Sequence, residues 1–389
     1  MLGNCFKSTF IFVFACIYLM PSPVFGSKSK PILIGATVSL EGKYIGPSFM
    51  IRNGFRVWEK EVNQRGGILG RPVKLILHDD KSKKERVRHL YENLLTKEKV
   101  DLVFSPYSTT LTLVASEVSE RHKFVMLASG ASGEGIWERG YRYIFGVYAP
   151  AGRYFIGFLD LIARNGLKSL AILHENSSFN VHAARGAHEW ANRFGLNISL
   201  QKDYNTGTTE LPGLVRKLRD TNPDGVILCA YPADCYELLS IMKKINYHPK
   251  ALGLTIAPAL PDFYKHAGTM SEGVFGPSQW EPDERIPFPG TKKFIVNFKA
   301  LTNKLPSYHA GSAYATCQIL ERAINHSKSL NHEKIRDFIS SLDTLTIIGR
   351  FKVNHKGKQI GHNPIIIQWQ NCKKEIVYPT KMQTAVPRF

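Results

Sequence analysis

The chain has 389 residues and a formal net charge of +19, with 43% hydrophobic and 21% charged residues. This length suits two domains of ordinary size better than one very large core, and the balanced composition excludes a disordered or low-complexity protein. The basic residues are dispersed, the densest run being KSKKERVRH at 81–89, so we interpret the charge as a surface property and expect no nucleic-acid partner.

The first 26 residues have the layout of a secretory signal peptide. Lys7 precedes an apolar run at 10–20, a Pro-Ser-Pro sequence at 21–23 interrupts it, and the chain then becomes Lys-rich and polar. A membrane anchor is the alternative, but this run is too short to cross about 30 Å of hydrocarbon. Lipidation at Cys16 is disfavoured because the cysteine lies inside the apolar run. We therefore predict cleavage of residues 1–26 and a soluble protein in the periplasm.

Four cysteines remain beyond the predicted signal peptide: Cys229, Cys235, Cys317 and Cys372. None belongs to a CxxC or Cys/His cluster with metal-ligand spacing, so we expect no metal site. An oxidising compartment permits a disulfide between Cys229 and Cys235. Two buried free thiols are the alternative, and the sequence leaves both open.

Strands and helices alternate from residue 31 onwards. Apolar, β-branched runs predict strands at 31–38, 73–78, 100–105 and 124–129, with helices between them. A second cycle has predicted strands at 169–174, 197–200, 224–231 and 251–256 and helices at 153–164, 180–193, 211–218 and 234–245. Repeated βα units imply right-handed crossovers onto parallel sheets that helices cover on both faces. The sequence therefore predicts an α/β fold with two doubly wound lobes.

The pattern changes after residue 276. A Pro-rich loop leads into helices predicted at 294–301, 310–327 and 333–342. Two alternating strands, GRFKV at 349–353 and NPIIIQWQ at 363–370, are predicted to be joined by the turn NHKG. We expect this tail to complete the first two lobes rather than to form a third domain.

The ordered features resemble the leucine/isoleucine/valine-binding family of periplasmic proteins, the ligand-collecting subunits of ABC importers. Nine segments carry the resemblance: IGATVSLEGKYIG, VNQRGGILGRPVKLILHDD, FSPYSTTLTLVASEV, VMLASGAS, LAILHENSSFN, GVILCAYPAD, GVFGPSQWEP, PSYHAGSAYA and GRFKVNHKGKQIGHNPIIIQWQ. The resemblance covers essentially the whole mature chain and implies a type I periplasmic binding fold with a multi-crossover hinge. We assign 27–149 plus 276–362 to the first lobe and 150–275 plus 363–389 to the second.

Polar segments follow two neighbouring predicted strands of the first lobe. Tyr107, Ser108 and Thr109 follow the third strand at the start of a helix, and Gly130 and Ser132 follow the fourth. Hydroxyls and free N–H groups at a helix N-terminus suit a carboxylate, and glycine lets the backbone approach a ligand closely. Ordinary helix capping is the alternative. Because both segments match the carboxylate-binding positions of the family, we predict that they contact the ligand.

Aromatic residues complete the predicted site. Phe179 and Tyr231 follow strands of the second lobe, where the resemblance implies an aromatic lid and a residue that reaches the ligand on closure. Tyr44, in the first loop, and Tyr107 are candidates for the wall of the cleft. Each of these rings could instead be an aromatic that packs against a strand end or a loop.

The sequence departs from the family where a ligand ammonium would bind. The resemblance implies an acidic residue after the strand at 251–256, but Thr255 or Ala257 stands there. A buried ammonium without a carboxylate partner is costly. Either Asp234 or Glu281 substitutes from a neighbouring loop, or the ligand has no ammonium, and both readings stay open.

No nucleophile-elbow, Walker, HExxH or GxGxxG pattern occurs, and Asp79 and Asp80 match a segment with a structural role in the family, so no enzymatic activity is expected. We expect a monomer without cofactor or metal that binds a small carboxylate, namely a branched-chain or other amino acid or a related organic acid or amide. It would dock on a membrane ABC permease for uptake. A soluble ligand-binding module of a solute-sensing receptor system is the alternative.

Overall fold

The computed structural model describes residues 30–207, 209–283 and 285–389. The predicted signal peptide at 1–26 lies outside the described residues. Among the helices of these ranges, none has the length and apolar character needed to cross a bilayer.

The first sheet takes its strands from the N-terminal third of the chain. They are β1 (Ile32–Val38), β2 (Val73–Asp79), β3 (Leu102–Phe104), β4 (Met126–Ala128) and β5 (Ile144–Gly146). All pairs are parallel, and the order is β2-β1-β3-β4-β5. The winding direction therefore reverses between β1 and β3, and right-handed crossovers place helices on both faces. In such sheets the crevice for a ligand lies at the carboxyl ends of the strands beside this reversal.

The second sheet is built from two separate parts of the chain. Its strands are β6 (Ser169–Glu175), β7 (Asn197–Tyr204), β8 (Gly225–Cys229), β9 (Ala251–Leu254), β10 (Val274–Ser278), β13 (Ile365–Gln370) and β14 (Lys373–Tyr378). The order is β14-β13-β10-β9-β8-β6-β7, in which β13 is antiparallel to both of its neighbours, β10 and β14, and all other pairs are parallel. The reversal lies between β6 and β8. The predicted α/β architecture of two largely parallel sheets is confirmed.

Helices occupy most of the connections between strands. They are α1 (Ile45–Gln64), α2 (Lys84–Thr96), α3 (Thr109–Arg121), α4 (Ile156–Arg164), α5 (Ser178–Arg193), α6 (Leu211–Thr221), α7 (Pro232–Lys244), α8 (Phe263–Ala267), α9 (Thr291–Thr302), α10 (Tyr308–Ser327) and α11 (His332–Ser341). Helix α10 packs against α1 so closely that a Cβ on Gly54 would lie 2.4 Å from the carbonyl oxygen of Ala310. Trp58 also donates a 2.9 Å hydrogen bond to Glu321. The C-terminal part of the chain thus returns to the first sheet.

The described chain passes between the two sheets three times: after β5, after β10 and before β13. The boundary that we placed at 276 falls inside β10, which pairs with β9 and β13 up to Ser278. The Gly-Pro pair at 276–277 resembles a loop in sequence, and this explains why the strand was not predicted.

The predicted pairing of 349–353 with 363–370 is wrong. Strand β12 (Gly349–Phe351) pairs with β11 (Thr344–Thr346), and β13 lies in the second sheet between β10 and β14. The NHKG turn closes only an isolated bridge between Val353 and Gln359. A turn motif indicates where the chain reverses direction, but it does not determine which strands pair. All residues of Ile365–Gln370 are buried, and this strand therefore lies inside a sheet rather than in a two-stranded hairpin.

Candidate functional site

Loops from both sheets meet around a narrow cavity, in which the space accessible to a water molecule is about 10 Å³. Eleven buried residues line it: Tyr107, Ser108, Thr109, Gly130, Ser132, Tyr148, Tyr154, Phe179, Tyr231, Ile256 and Tyr308. This is about the space that one water molecule needs. The lining side chains therefore nearly fill the cavity in this structure, and room for a solute requires the lining to move apart.

Seven of the eight predicted site residues line this cavity. The exception is Tyr44, whose ring stands behind the lining, with its centroid 5.7 Å from that of Tyr107 and 4.9 Å from that of Tyr231. The structure thus brings the five polar-segment residues of the first sheet together with Phe179 and Tyr231 of the second. They meet because they follow the carboxyl ends of β3, β4, β6 and β8, at or next to the winding reversals of the two sheets.

The N-terminus of α3 forms the polar end of the cavity. Ser108 caps this helix: its Oγ accepts a 3.2 Å hydrogen bond from the N–H of Leu111, and its φ of +81° turns the chain into the helix. The Oγ1 of Thr109 accepts a 3.0 Å bond from the N–H of Gly133, which leaves the hydroxyl proton as a donor. The first helical N–H groups have no partner within the helix, and the helix dipole adds positive potential there. This end of the cavity favours an anion.

Gly130 and Ser132 bring a second strand end against the helix N-terminus. The N–H of Ser108 donates a 3.0 Å bond to the carbonyl of Gly130, and a Cβ on Gly130 would lie 2.6 Å from Cδ1 of Ile51. Only glycine permits this approach. The hydroxyl of Ser132 donates a 3.2 Å hydrogen bond to the hydroxyl of Tyr154. These two hydroxyls therefore form adjoining polar groups in the lining of the cavity.

Four lining residues were missed by the sequence analysis: Tyr148, Tyr154, Ile256 and Tyr308. Tyr148 follows β5, a strand of three residues that was itself not predicted. Ile256 was quoted as the end of a strand, but only the fold shows that it reaches the cavity. Tyr308 is the first residue of α10, inside a segment that carried the resemblance, and this was the one available signal for it.

The tyrosines of the lining remain neutral hydrogen-bonding groups. Burial raises the pKa of Tyr154 to about 12 and holds the pKa values of Tyr107, Tyr148 and Tyr231 well above the ordinary value. Among the described residues, no partner is found for the buried hydroxyl of Tyr148. Because buried polar groups are normally paired, this hydroxyl is a candidate to bond a polar atom of a bound solute.

Among the residues that the structure describes, no Asp, Glu, Lys or Arg side chain lines the cavity. Thr255, at the position where we expected an acid, donates its hydroxyl to the carbonyl of Ala230 at 2.6 Å. Asp234 accepts a 2.9 Å bond from Tyr204, and Glu281 pairs with Lys374 at 2.6 Å. Neither of the two possible substitutes reaches the cavity lining.

An ion pair lies beside the cavity and joins the two sheets. Nζ of Lys43, in the loop after β1, lies 2.8 Å from Oε1 of Glu175, at the end of β6. The same Nζ lies 4.9 Å from the ring centroid of Tyr231 and 5.3 Å from that of Tyr44. Burial by itself would lower the pKa of Lys43, but Tyr44 and Glu175 outweigh it and raise the value. Lys43 is therefore a charged ammonium held between an acid and two aromatic faces.

Asp80 anchors the loop that carries Lys43. This buried carboxylate accepts hydrogen bonds from the hydroxyls of Thr37 and Ser39, at 2.8 and 2.5 Å, and from the N–H of Ser82 at 2.9 Å. The hydroxyl of Ser82 donates in turn to the carbonyl of Glu41 at 2.8 Å. Asp80 is thus committed to structural bonds, as its place in the sequence indicated.

The described residues contain no group of three or more His, Cys, Asp and Glu side chains placed to hold a metal ion. Cys229 and Cys235 are buried free thiols. The pair whose bridging the sequence left open is therefore unbridged in this structure.

Comparisons with known proteins give a consistent result. A family model described as periplasmic binding protein matches residues 31–374. The chain is 24% identical over 396 aligned residues to Leu/Ile/Val-binding protein homolog 8 of Brucella abortus, covering 95% of this chain and 96% of the relative. It is similar in structure to the branched-chain amino acid substrate-binding protein LivJ of Streptococcus pneumoniae in complex with isoleucine, with a TM-score of 0.81, 18% identity and coverage of 90% and 100%. It is also similar to a solute-binding protein of an ABC transporter from R. palustris in complex with benzoate, with a TM-score of 0.79, 14% identity and coverage of 92% and 98%.

Proposed function

Since the chain belongs to the periplasmic binding protein family, we propose that it captures a small carboxylate in the cavity between its two sheets for uptake by an ABC transporter. It is a binding protein rather than an enzyme. The observation that carries the choice of ligand chemistry is the N-terminus of α3, with the hydroxyls of Ser108, Thr109 and Ser132 around it, at one end of a sealed cavity.

The ligand carboxylate binds at this polar end. Each of its oxygens can accept hydrogen bonds from hydroxyls and from N–H groups of the first helical turn, and bonds to a charged acceptor are worth about 1.5–3 kcal/mol. The apolar part of the ligand then lies among the rings of Tyr148, Phe179 and Tyr231. Isoleucine and benzoate, which the two structural neighbours hold, share a carboxylate and an apolar group, and isoleucine carries an α-ammonium in addition.

Capture occurs by closure of two lobes. We assign these to 27–149 plus 276–362 and to 150–275 plus 363–389, except that the boundary placed at 276 moves to the end of β10, after Ser278. Phe179 and Tyr231 come from the second sheet and are 4% exposed, so a solute can reach the cavity only when the sheets separate. A ligand that touches both sheets favours the closed form because these contacts exist only there. The three passages of the chain between the sheets form the hinge.

We further propose that residues 1–26 are cleaved, that the mature protein is a periplasmic monomer without a nucleic-acid partner, and that its closed form docks on the permease. Mass spectrometry of the periplasmic fraction should give a chain beginning near Ser27. Light scattering should give the mass of one chain. A full-length mass or a stable dimer would contradict the corresponding part.

Calorimetry with a panel of carboxylates tests the proposed capture. The panel comprises benzoate, phenylacetate, 4-methylpentanoate and leucine, each beside the amide or alcohol that lacks the carboxylate charge. We expect at least one carboxylate to bind with a micromolar or lower Kd and its uncharged counterpart to bind at least about 10-fold more weakly. Absence of binding by every carboxylate, or equal binding of the uncharged counterparts, would overturn the proposal.

Transport is tested separately in cells. A strain that lacks this protein should lose uptake of the isotopically labelled carboxylate, and the wild-type chain should restore it. Uptake that is unchanged in the deletion strain would contradict the transport role while leaving ligand binding intact.

A further inference from the structure

The ion pair of Lys43 and Glu175 lies outside the lining of the cavity, against the ring of Tyr231. Glu175 is 1% exposed, and besides Lys43 it accepts hydrogen bonds from Asn180 and Thr206. Its carboxylate is thus the buried acid beside Tyr231, a ring that lines the cavity. The cation that neutralises it is supplied by the chain itself.

Aromatic faces complete this internal cation site. The ammonium of Lys43 lies over Tyr44 and Tyr231 at distances within the roughly 6 Å of cation–π attraction. An acid and aromatic faces are the groups that would also hold the ammonium of an amino acid. Because Lys43 already occupies them, a ligand ammonium in the cavity would find only neutral hydroxyls and a nearby positive charge.

We propose that Lys43 takes the place of the ligand ammonium, and that the solute captured by this protein is a small apolar monocarboxylate without an amino group. This inference rests on the proposed carboxylate capture and specifies its substrate class. Six of the eleven lining residues are aromatic and none is acidic, so the chemistry of the lining favours a carboxylate carried by one ring or by a short hydrocarbon chain.

Electrostatics determines the selectivity. A buried ammonium that lacks an ionic partner keeps a large part of its desolvation cost, and repulsion from Lys43 adds to it. The loop of Lys43 is held by Asp80 and Ser82, so the lysine does not readily withdraw. We expect an amino acid to bind at least about 100-fold more weakly than the acid of the same skeleton.

Two matched ligand pairs test this selectivity by calorimetry: 4-methylpentanoate against leucine, and phenylacetate against phenylglycine. Each pair differs only by the α-ammonium. The expected result is that the acid without the amino group binds at least about 100-fold more tightly in at least one pair, and that neither amino acid outcompetes its partner.

Variants of Lys43 assign the effect to this residue. Lys43→Met removes the charge and keeps most of the stem, so Glu175 can attract a ligand ammonium, and the ratio of Kd values for leucine and 4-methylpentanoate should fall at least about 10-fold. Lys43→Arg retains the charge and should preserve the ratio. Lys60→Met, at an exposed position of α1, removes one charge from the surface and should also preserve it.

The outcomes separate the two proposals. Leucine or phenylglycine binding as tightly as its amine-free partner overturns this inference and leaves carboxylate capture intact. No binding by any of these four compounds overturns this inference, and it overturns carboxylate capture as well when benzoate also fails to bind. A ratio that is unchanged in a folded Lys43→Met protein also contradicts the role of Lys43, and if that variant does not fold, the ligand comparison on the wild-type chain decides alone.

Discussion

Replacement of Gly130 by alanine tests the close approach on which the cavity depends. The added Cβ would lie 2.6 Å from Cδ1 of Ile51 and 2.9 Å from Cδ2 of Tyr107, whereas carbon atoms in favourable contact are about 3.5–4.0 Å apart. The overlap of about 1 Å cannot be relieved by rotation of a surface side chain, because Ile51 and Tyr107 are both buried. We expect the free energy of unfolding to fall by about 1–3 kcal/mol, the usual cost of overpacking.

Ligand affinity should fall as well, because the displaced ring of Tyr107 is part of the lining of a narrow cavity. A loss of at least about 10-fold corresponds to about 1.4 kcal/mol. Urea unfolding of the ligand-free protein gives the first quantity, and calorimetry with the tightest-binding carboxylate gives the second. Gly213→Ala in α6 is the matched control, since its Cβ would meet only the end of Arg216 at 4.0 Å. A Gly130→Ala protein with the stability and affinity of the wild type would refute the reasoning.

Three further predictions concern the same site. Ser132→Ala should weaken carboxylate binding by about 1–3 kcal/mol in calorimetry, while Ser119→Ala, which removes a hydroxyl bonded to the backbone of α3, should not; equal affinities would exclude Ser132 as a contact. Ligand at saturation should reduce the radius of gyration in small-angle scattering, and an unchanged radius would contradict closure of the lobes. Burial lowers the pKa of His309 to about 3, so its folded form binds fewer protons than the unfolded form below about pH 6.5, and stability is lost as pH falls. His309→Gln should make this decline less steep between pH 6 and 4, by at most about 1.4 kcal/mol per pH unit; identical slopes in urea unfolding would show that His309 is not held neutral.

The family assignment and the choice of a binding protein over an enzyme, both made from the sequence, are confirmed. Long apolar runs such as Ile32–Val38 and Ser169–Glu175 were predicted as strands because parallel strands buried on both faces consist of apolar, β-branched residues. Four strands were missed: Ile144–Gly146, Val274–Ser278, Thr344–Thr346 and Lys373–Tyr378. Length alone is not the reason, since Leu102–Phe104 and Met126–Ala128 also have three residues and were predicted. Val274–Ser278 was missed because its Gly-Pro pair is typical of a loop.

The position of the site residues at the ends of strands could also be predicted from the sequence. Ser108 and Gly130 were predicted from their place at the carboxyl ends of parallel strands together with the family resemblance, and Tyr231 from the resemblance. The structure places all three in the lining of one cavity. Their contact with a ligand stays a prediction. Local sequence locates such residues because the end of a strand is a property of neighbouring residues in the chain.

The sequence by itself determined the class of fold, the alternation of elements and the residues at the strand ends, since these depend on local apolar periodicity. Only the tertiary structure decided which distant residues meet. Lys43 and Glu175 are 132 residues apart in the chain yet form one ion pair, and Tyr308 reaches the cavity because α10 returns to pack on α1. Such contacts arise when two sheets, built from separated segments, bury their facing loops against each other, and no local pattern encodes the partner across that gap.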